Sequence, residues 1–107
     1  MADAEPLDLT HLRRQTGGDA ALEREVLTLF LAKATADLAR IDGAASPRER
    51  REAAHALVGS ARAVGALEVA GLAAAIERAG ERPSDVTAAL KDAVRAAEDF
   101  IRSYLRR

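Results

Sequence analysis

Between Asp19 and Gly43, the side chains of Leu27, Phe30, Leu31, Ala34, Leu38 and Ile41 recur at helical spacing. This places them on one side of an α-helix. No segment of the chain alternates with period two, and β-branched residues never cluster, which leaves no candidate strand. A helix with one apolar side has to bury it, and with no sheet available it must do so against other helices. The chain is therefore expected to be all-α.

Start and stop signals divide the chain into one short helix and four longer ones. Asp8 can cap a first helix through about Gln15, Gly17-Gly18 ends it, and Asp19 caps the second. The second helix runs to about Asp42, with Gly43 expected as a left-handed terminator. Ser46-Pro47-Arg48-Glu49 opens the third: Ser46 as N-cap, Pro47 at the first helical position, Glu49 completing a capping box. Gly65 stops it. A fourth helix spans about Leu67 to Ala79, with Val69, Leu72, Ala73 and Ile76 inward and Gly80 as its stop. Pro83-Ser84 introduces the last, with Ser84 as its cap and Val86, Leu90, Val94, Ala97, Ile101 and Leu105 as its stripe.

The 107 residues suffice for one domain and not for two good cores. Apolar residues make up 49% but aromatics only 3%, so Leu, Val, Ile and many alanines must build the core. Small side chains let helices approach closely, and short loops favour antiparallel neighbours. The expected architecture is an antiparallel up-down-up-down four-helix bundle with a short additional N-terminal helix lying on it. It is expected to be one monomeric domain over residues 1–107, with 1–6 a flexible tail.

The 16 basic and 17 acidic residues balance to a net charge of -1, which argues against a nucleic-acid partner. There are no cysteines, which removes disulfides and thiolate metal sites and fits a reducing cytosol. The segment Met1-Ala-Asp-Ala-Glu-Pro lacks the basic and apolar regions of a signal peptide. No apolar run approaches the roughly 20 residues of a membrane span. A cytoplasmic location is expected, with no membrane association.

On the third helix Ala53, Leu57, Ser60 and Val64 lie on one side, flanked by Ala54 and Ala61. This is the expected buried stripe, and Ser60 fits it because it is small; Ser60 also counts with Arg51, Val58 and Arg62 as a candidate phosphate- or partner-binding residue. His55 projects from roughly the opposite side with Arg51, Gly59 and Arg62, and Val58 borders that group. The imidazole is therefore expected to face solvent. By itself this is also the description of an ordinary surface histidine. Gly59 separates the two readings. A glycine inside a helix costs about 0.5–1 kcal/mol relative to alanine, in a chain that uses alanine almost everywhere. Close helix packing does not explain it, because Gly59 lies on the wrong face. Close approach of another macromolecule to the His55 ring does.

An exposed neutral imidazole is a good nucleophile and can carry a phosphoryl group. An acceptor for its other ring nitrogen would fix the tautomer, and nearby cations would stabilise phosphoryl oxygens. Arg62, two turns on, and Arg51, one turn before, are the same-face candidates; each also fits a solvated surface charge.

The run His55-Ala56-Leu57-Val58-Gly59-Ser60-Ala61, followed by Val64-Gly65-Ala66, resembles the signature of histidine-containing phosphotransfer (HPt) domains. That pattern is His-x-Leu-Lys-Gly-Ser/Ala-Ser/Ala, three variable residues, then Gly-Ala. Leu7-Asp8-Leu9 through Thr16-Gly17-Gly18-Asp19 also looks like the start of such domains, so the resemblance covers nearly the whole chain. It implies a four-helix bundle whose histidine takes a phosphoryl group from an aspartyl phosphate on a receiver domain, or from a histidine kinase, and passes it to another receiver aspartate. It implies no ATP site and no cofactor on this chain, the Mg2+ needed for transfer belonging to the receiver. His55 is then the phosphoacceptor, at Nε2, and Gly59 leaves room for the receiver. The family often has Gln or Glu 22 residues after the histidine, accepting a hydrogen bond from Nδ1; here that residue is Glu77. A charge on the flank of a helix is the plainer reading of the same residue.

One departure matters. The family usually has lysine three residues after the histidine, and this chain has Val58. Arg62 or Arg51 would compensate, or Val58 would extend an apolar docking surface. Leu22, Val26 and Leu29 form a second apolar arc on the second helix, partly covered by Leu9 and Leu12, the remainder suiting an apolar receiver surface. The missing lysine also keeps open a second function: an HPt-like adaptor or inhibitor that binds receiver or kinase domains without carrying phosphate. His11 has no glycine or carboxylate arranged around it and reads as a surface residue. The two histidines form no metal-ligand pattern, and Gly17-Gly18 lacks the lysine of a phosphate-binding loop.

Overall fold

The computed structural model of the chain describes residues 5–79 and 84–107. All of its regular structure is helical: α1 (Leu9–Thr16), α2 (Ala20–Asp42), α3 (Pro47–Val64), α4 (Leu67–Ala79) and α5 (Ser84–Leu105). The four long helices close a ring in which α2 packs on α3, α3 on α4, α4 on α5 and α5 back on α2, while α1 lies on α2 and α3. The expectations for Gly80, Pro83 and the side chain of Ser84 lie outside the described residues. Of the tail expected over 1–6, residues 1–4 also lie outside them; Glu5 is exposed and Pro6 half-buried.

Local chemistry sets the helix ends. Asp8 accepts from the His11 backbone N–H at 3.1 Å, and Asp19 from that of Leu22 at 3.0 Å, each satisfying an orphan donor of a first turn. Ser46 does the same for Glu49 at 3.2 Å. The Glu49 carboxylate reaches back one residue further than a standard capping box, accepting from Ala45 N–H at 2.9 Å. Gly43 does terminate α2, but in a right-handed conformation (φ -97°). Its N–H still makes the helical bond to Ala39 O at 2.9 Å, so no left-handed turn is needed there.

Gly65 makes a tight turn at the end of α3. It is left-handed (φ 80°), and Ala66 N–H closes back on Ala61 O at 2.8 Å, ending α3 in a Schellman-type turn. Asp8 N–H donates to Gly65 O at 2.9 Å, which ties the start of α1 to this turn. A Cβ at residue 65 would lie 2.8 Å from the Asp8 carbonyl oxygen.

The core is aliphatic. Leu27, Phe30, Ala34 and Ile41 of α2 meet Leu57 and Val64 of α3, Val69, Ala73 and Ile76 of α4, and Leu90, Val94 and Ile101 of α5 in one cluster. Leu31, Leu38, Leu72, Val86 and Leu105 pack against it partly buried. Polar ties join α2 to α5: Tyr104 O–H donates to the buried Glu23 carboxylate, Arg24 Nη1 donates to Leu105 O at 2.9 Å, and Lys91 pairs with Asp42 at 3.4 Å. The start of α2 thus meets the end of α5 and its end meets the early turns of α5, so these two helices run antiparallel.

Candidate functional site

α3 is packed by α2 and α4, with α1 also lying against it, and its face bearing Arg51, His55, Gly59 and Arg62 is exposed. His55 stands on that face with its side chain 76% exposed. Its Nδ1 lies 2.7 Å from Oε2 of Glu77 on α4. With the carboxylate ionised and the ring neutral, Nδ1–H donates to Glu77 and the ring's lone pair lies on Nε2. Glu77 is one-third exposed. The helix–turn–helix through Gly65 brings the two residues into register across the α3–α4 interface.

Gly59, one turn after His55, is exposed, and a Cβ built on it would meet nothing within 4 Å. Among the described residues no packing contact accounts for the missing methyl. Arg51 and Arg62 are both exposed. Among the described residues neither has an ion-pair or hydrogen-bond partner, unlike Arg48, which pairs with Glu52 at 3.5 Å.

Three placements correct the expectations from sequence. Val58, expected to border the exposed group around His55, is a core residue at 5% exposure. Helices pack on both flanks of α3, so its buried arc is wider than a one-sided stripe and takes in Val58 with Ala54 and Ala61. Ser60, expected inside, is half-buried; its Oγ turns back to donate to Leu57 O at 3.3 Å. His11, expected on the surface, is half-buried, its Nε2 enclosed and without a partner among the described residues, because α1 packs against α2 and α3.

α1 buries Leu12 completely but leaves Leu22 and Leu29 of α2 exposed, at 40% and 64%. Beside them a shallow depression of about 150 Å³ opens between α2 and α3, lined by Val26, Leu29, Phe30, Lys33, Ser60 and Ala63 among others. Lys33, which sequence reasoning passed over, is held by Asp37, a carboxylate on the buried side of α2. The signal was present: Asp37 occupies a stripe position three residues after Ala34 and four before Ile41.

Among the described residues no group of three His, Cys, Asp or Glu side chains could hold a metal ion, and no helix is long and apolar enough to cross a membrane. The arrangement suits nucleophilic chemistry at an exposed imidazole, approached over bare backbone at Gly59 and fixed from behind by a carboxylate. No curated protein and no solved structure shows significant similarity to the chain. The family model described as Hpt domain matches residues 25–100. This match takes in α3 with His55 and α4 with Glu77, and the family's modules act in two-component phosphotransfer with response-regulator or kinase domains. The chain belongs to the Hpt domain family.

Proposed function

We propose that the protein is a phosphoryl carrier of a two-component phosphorelay, with His55 as the phosphorylated residue. The observation that carries this reading is the pairing of an exposed imidazole with Glu77 at 2.7 Å. In the proposed step, Nε2 attacks the phosphorus of an aspartyl phosphate on a receiver domain. The N–P bond forms, the acyl O–P bond breaks, and the receiver's carboxylate leaves with the electron pair. The ring gains positive charge as it attacks, and the Glu77 carboxylate against Nδ1–H balances it. The reverse step, onto a second receiver aspartate, discharges the carrier. Mg2+ belongs to the receiver, and a histidine kinase is the other donor compatible with this chemistry. ATP use has no place in the scheme, so the chain acts as a carrier and its partner shares the catalysis.

The partner approaches over Gly59, with Leu22, Leu29 and the α2–α3 depression as apolar docking surface and Arg51 and Arg62 as solvated cations beside the ring. In this reading the four long helices run up-down-up-down, supported by the short connections and the antiparallel α2–α5 pair. The domain works as a monomer in the cytoplasm.

The test is transfer from phosphorylated receiver domains with Mg2+. Acid-labile, base-stable label is expected on the chain, lost in His55→Gln and kept in His11→Gln. Receivers that bind without transferring label would favour the adaptor reading, in which the loss of a lysine at position 58 marks a chain that no longer carries phosphate.

A further inference from the structure

Asp37 is 2% exposed. Moving a carboxylate out of water is strongly unfavourable unless it is paired. Another buried carboxylate of α2, Glu23, ties its helix to α5 through Tyr104. Asp37 does not. Its Oδ1 accepts from Arg40 Nη1 at 3.2 Å, and Lys33 Nζ stands 3.5 Å from its Oδ2, which makes no hydrogen bond. Both partners belong to α2, and among the described residues Asp37 has none on another helix.

The two cations are equally exposed, at 54%, but their surroundings differ. Arg40 lines a depression whose other charged residues are Glu49 and Glu52 of α3. Lys33 lines the apolar depression between α2 and α3, and among the described residues no other charged side chain lines it. Ser60 and Ala63, which share that depression, are the residues next to Gly59 and one turn beyond it. The ammonium group therefore stands at the rim of a surface that adjoins the approach to His55.

We infer that Lys33, held in place by Asp37, is a partner-facing cation that receives the anionic rim of the phosphodonor while an apolar side chain of that donor fills the depression. It supplies from α2 the positive charge that the buried Val58 cannot supply from α3. The inference rests on the carrier reading above. The phosphodonor carries a multiply charged anion, and Lys33 adds to the exposed Arg51 and Arg62 a cation at the edge of the apolar depression. Lys33 is a positioning residue: it orients and attracts the donor and does not touch the reacting atoms.

The experiment is transfer of radiolabelled phosphate from a panel of phosphorylated receiver domains, with Mg2+, to the full chain over a range of NaCl concentrations. Lys33→Gln is expected to lower kcat/KM about five- to tenfold at low salt, mainly through KM, and to flatten the salt dependence. Lys33→Arg should restore most of the loss. Lys91→Gln removes the same charge from α5 and is expected to stay within about twofold of wild type. Wild-type-like transfer by Lys33→Gln, or an equal loss in Lys91→Gln, would overturn the inference and leave the carrier reading standing. A wild-type chain that takes no label from any receiver would overturn both.

Discussion

Nδ1 of His55 and Oε2 of Glu77 lie 2.7 Å apart across the α3–α4 interface. The contact makes the ring asymmetric: one nitrogen is committed to a carboxylate and the other faces solvent. Removing the carboxylate frees the ring to rotate and lets the proton move to Nε2, which takes the nucleophilic lone pair away. Glu77→Ala is expected to slow phosphotransfer about tenfold or more, in line with other residues that orient a functional histidine. Glu77→Gln keeps an acceptor without the charge and should fall between the two. Nitrogen NMR of the His55 ring reads the tautomer directly. An unchanged tautomer ratio in Glu77→Ala would remove Glu77 from the site.

Gly59 is a position where stability and access oppose each other. A Cβ there meets nothing within 4 Å, so Gly59→Ala should stabilise α3 by about 0.5–1 kcal/mol. For a domain of this size that raises Tm by several degrees, on the order of 4–8 °C per kcal/mol. Gly59→Arg should fold as well and lose transfer from receiver domains, because its side chain fills the approach to His55. A melting curve and a transfer assay on both variants check this, and full transfer by Gly59→Arg would end the access argument.

Gly65 and Gly17 are both left-handed, at φ 80° and 63°, but only Gly65 is crowded. Alanine at either pays the left-handed penalty of roughly 1–2 kcal/mol. At Gly65 the new methyl also meets the Asp8 carbonyl oxygen at 2.8 Å, while at Gly17 it meets open space. Gly65→Ala is therefore expected to be the more damaging by at least about 1 kcal/mol, since α1 or the end of α3 must shift. Urea titrations of the two variants give the difference; equal losses would mean that the Asp8 contact yields freely.

What the sequence made legible was whatever is local to one helix. Asp8, Asp19 and Ser46 cap because their side chains reach backbone three residues away, and Leu27, Phe30, Ala34 and Ile41 are buried because their spacing alone puts them on one side. The exposure of His55 followed from the same periodicity. Relations between helices were not legible in this way. The pairing of Glu77 with His55 came from resemblance to a family, since nothing in the local sequence of α4 points to α3. Val58 was misplaced because a helical wheel does not say how many neighbours a helix has, and α3 has one on each flank. Asp37 was passed over because an acid inside an apolar stripe reads as a break in the pattern, although its cations sit at i−4 and i+3 where a helix places them.

Val58 has a consequence for any attempt to restore the family's usual lysine. At 5% exposure its side chain belongs to the core, so Val58→Lys removes a packed valine and asks an ammonium group to find water from a buried starting point. The lysine stem is long enough to lift the charge outward, which softens the penalty, but the packing at the α3 flank is lost. A destabilisation of about 1–3 kcal/mol is expected, read as a lower urea midpoint with little change in slope. Val58 itself makes no part of the open face, so transfer measured where the variant remains folded should be no slower than wild type, and an ammonium group emerging beside His55 would favour it. A variant as stable as wild type would mean that position 58 reaches solvent freely. A variant that is folded but slow would mean that Val58 takes part in partner contact after all.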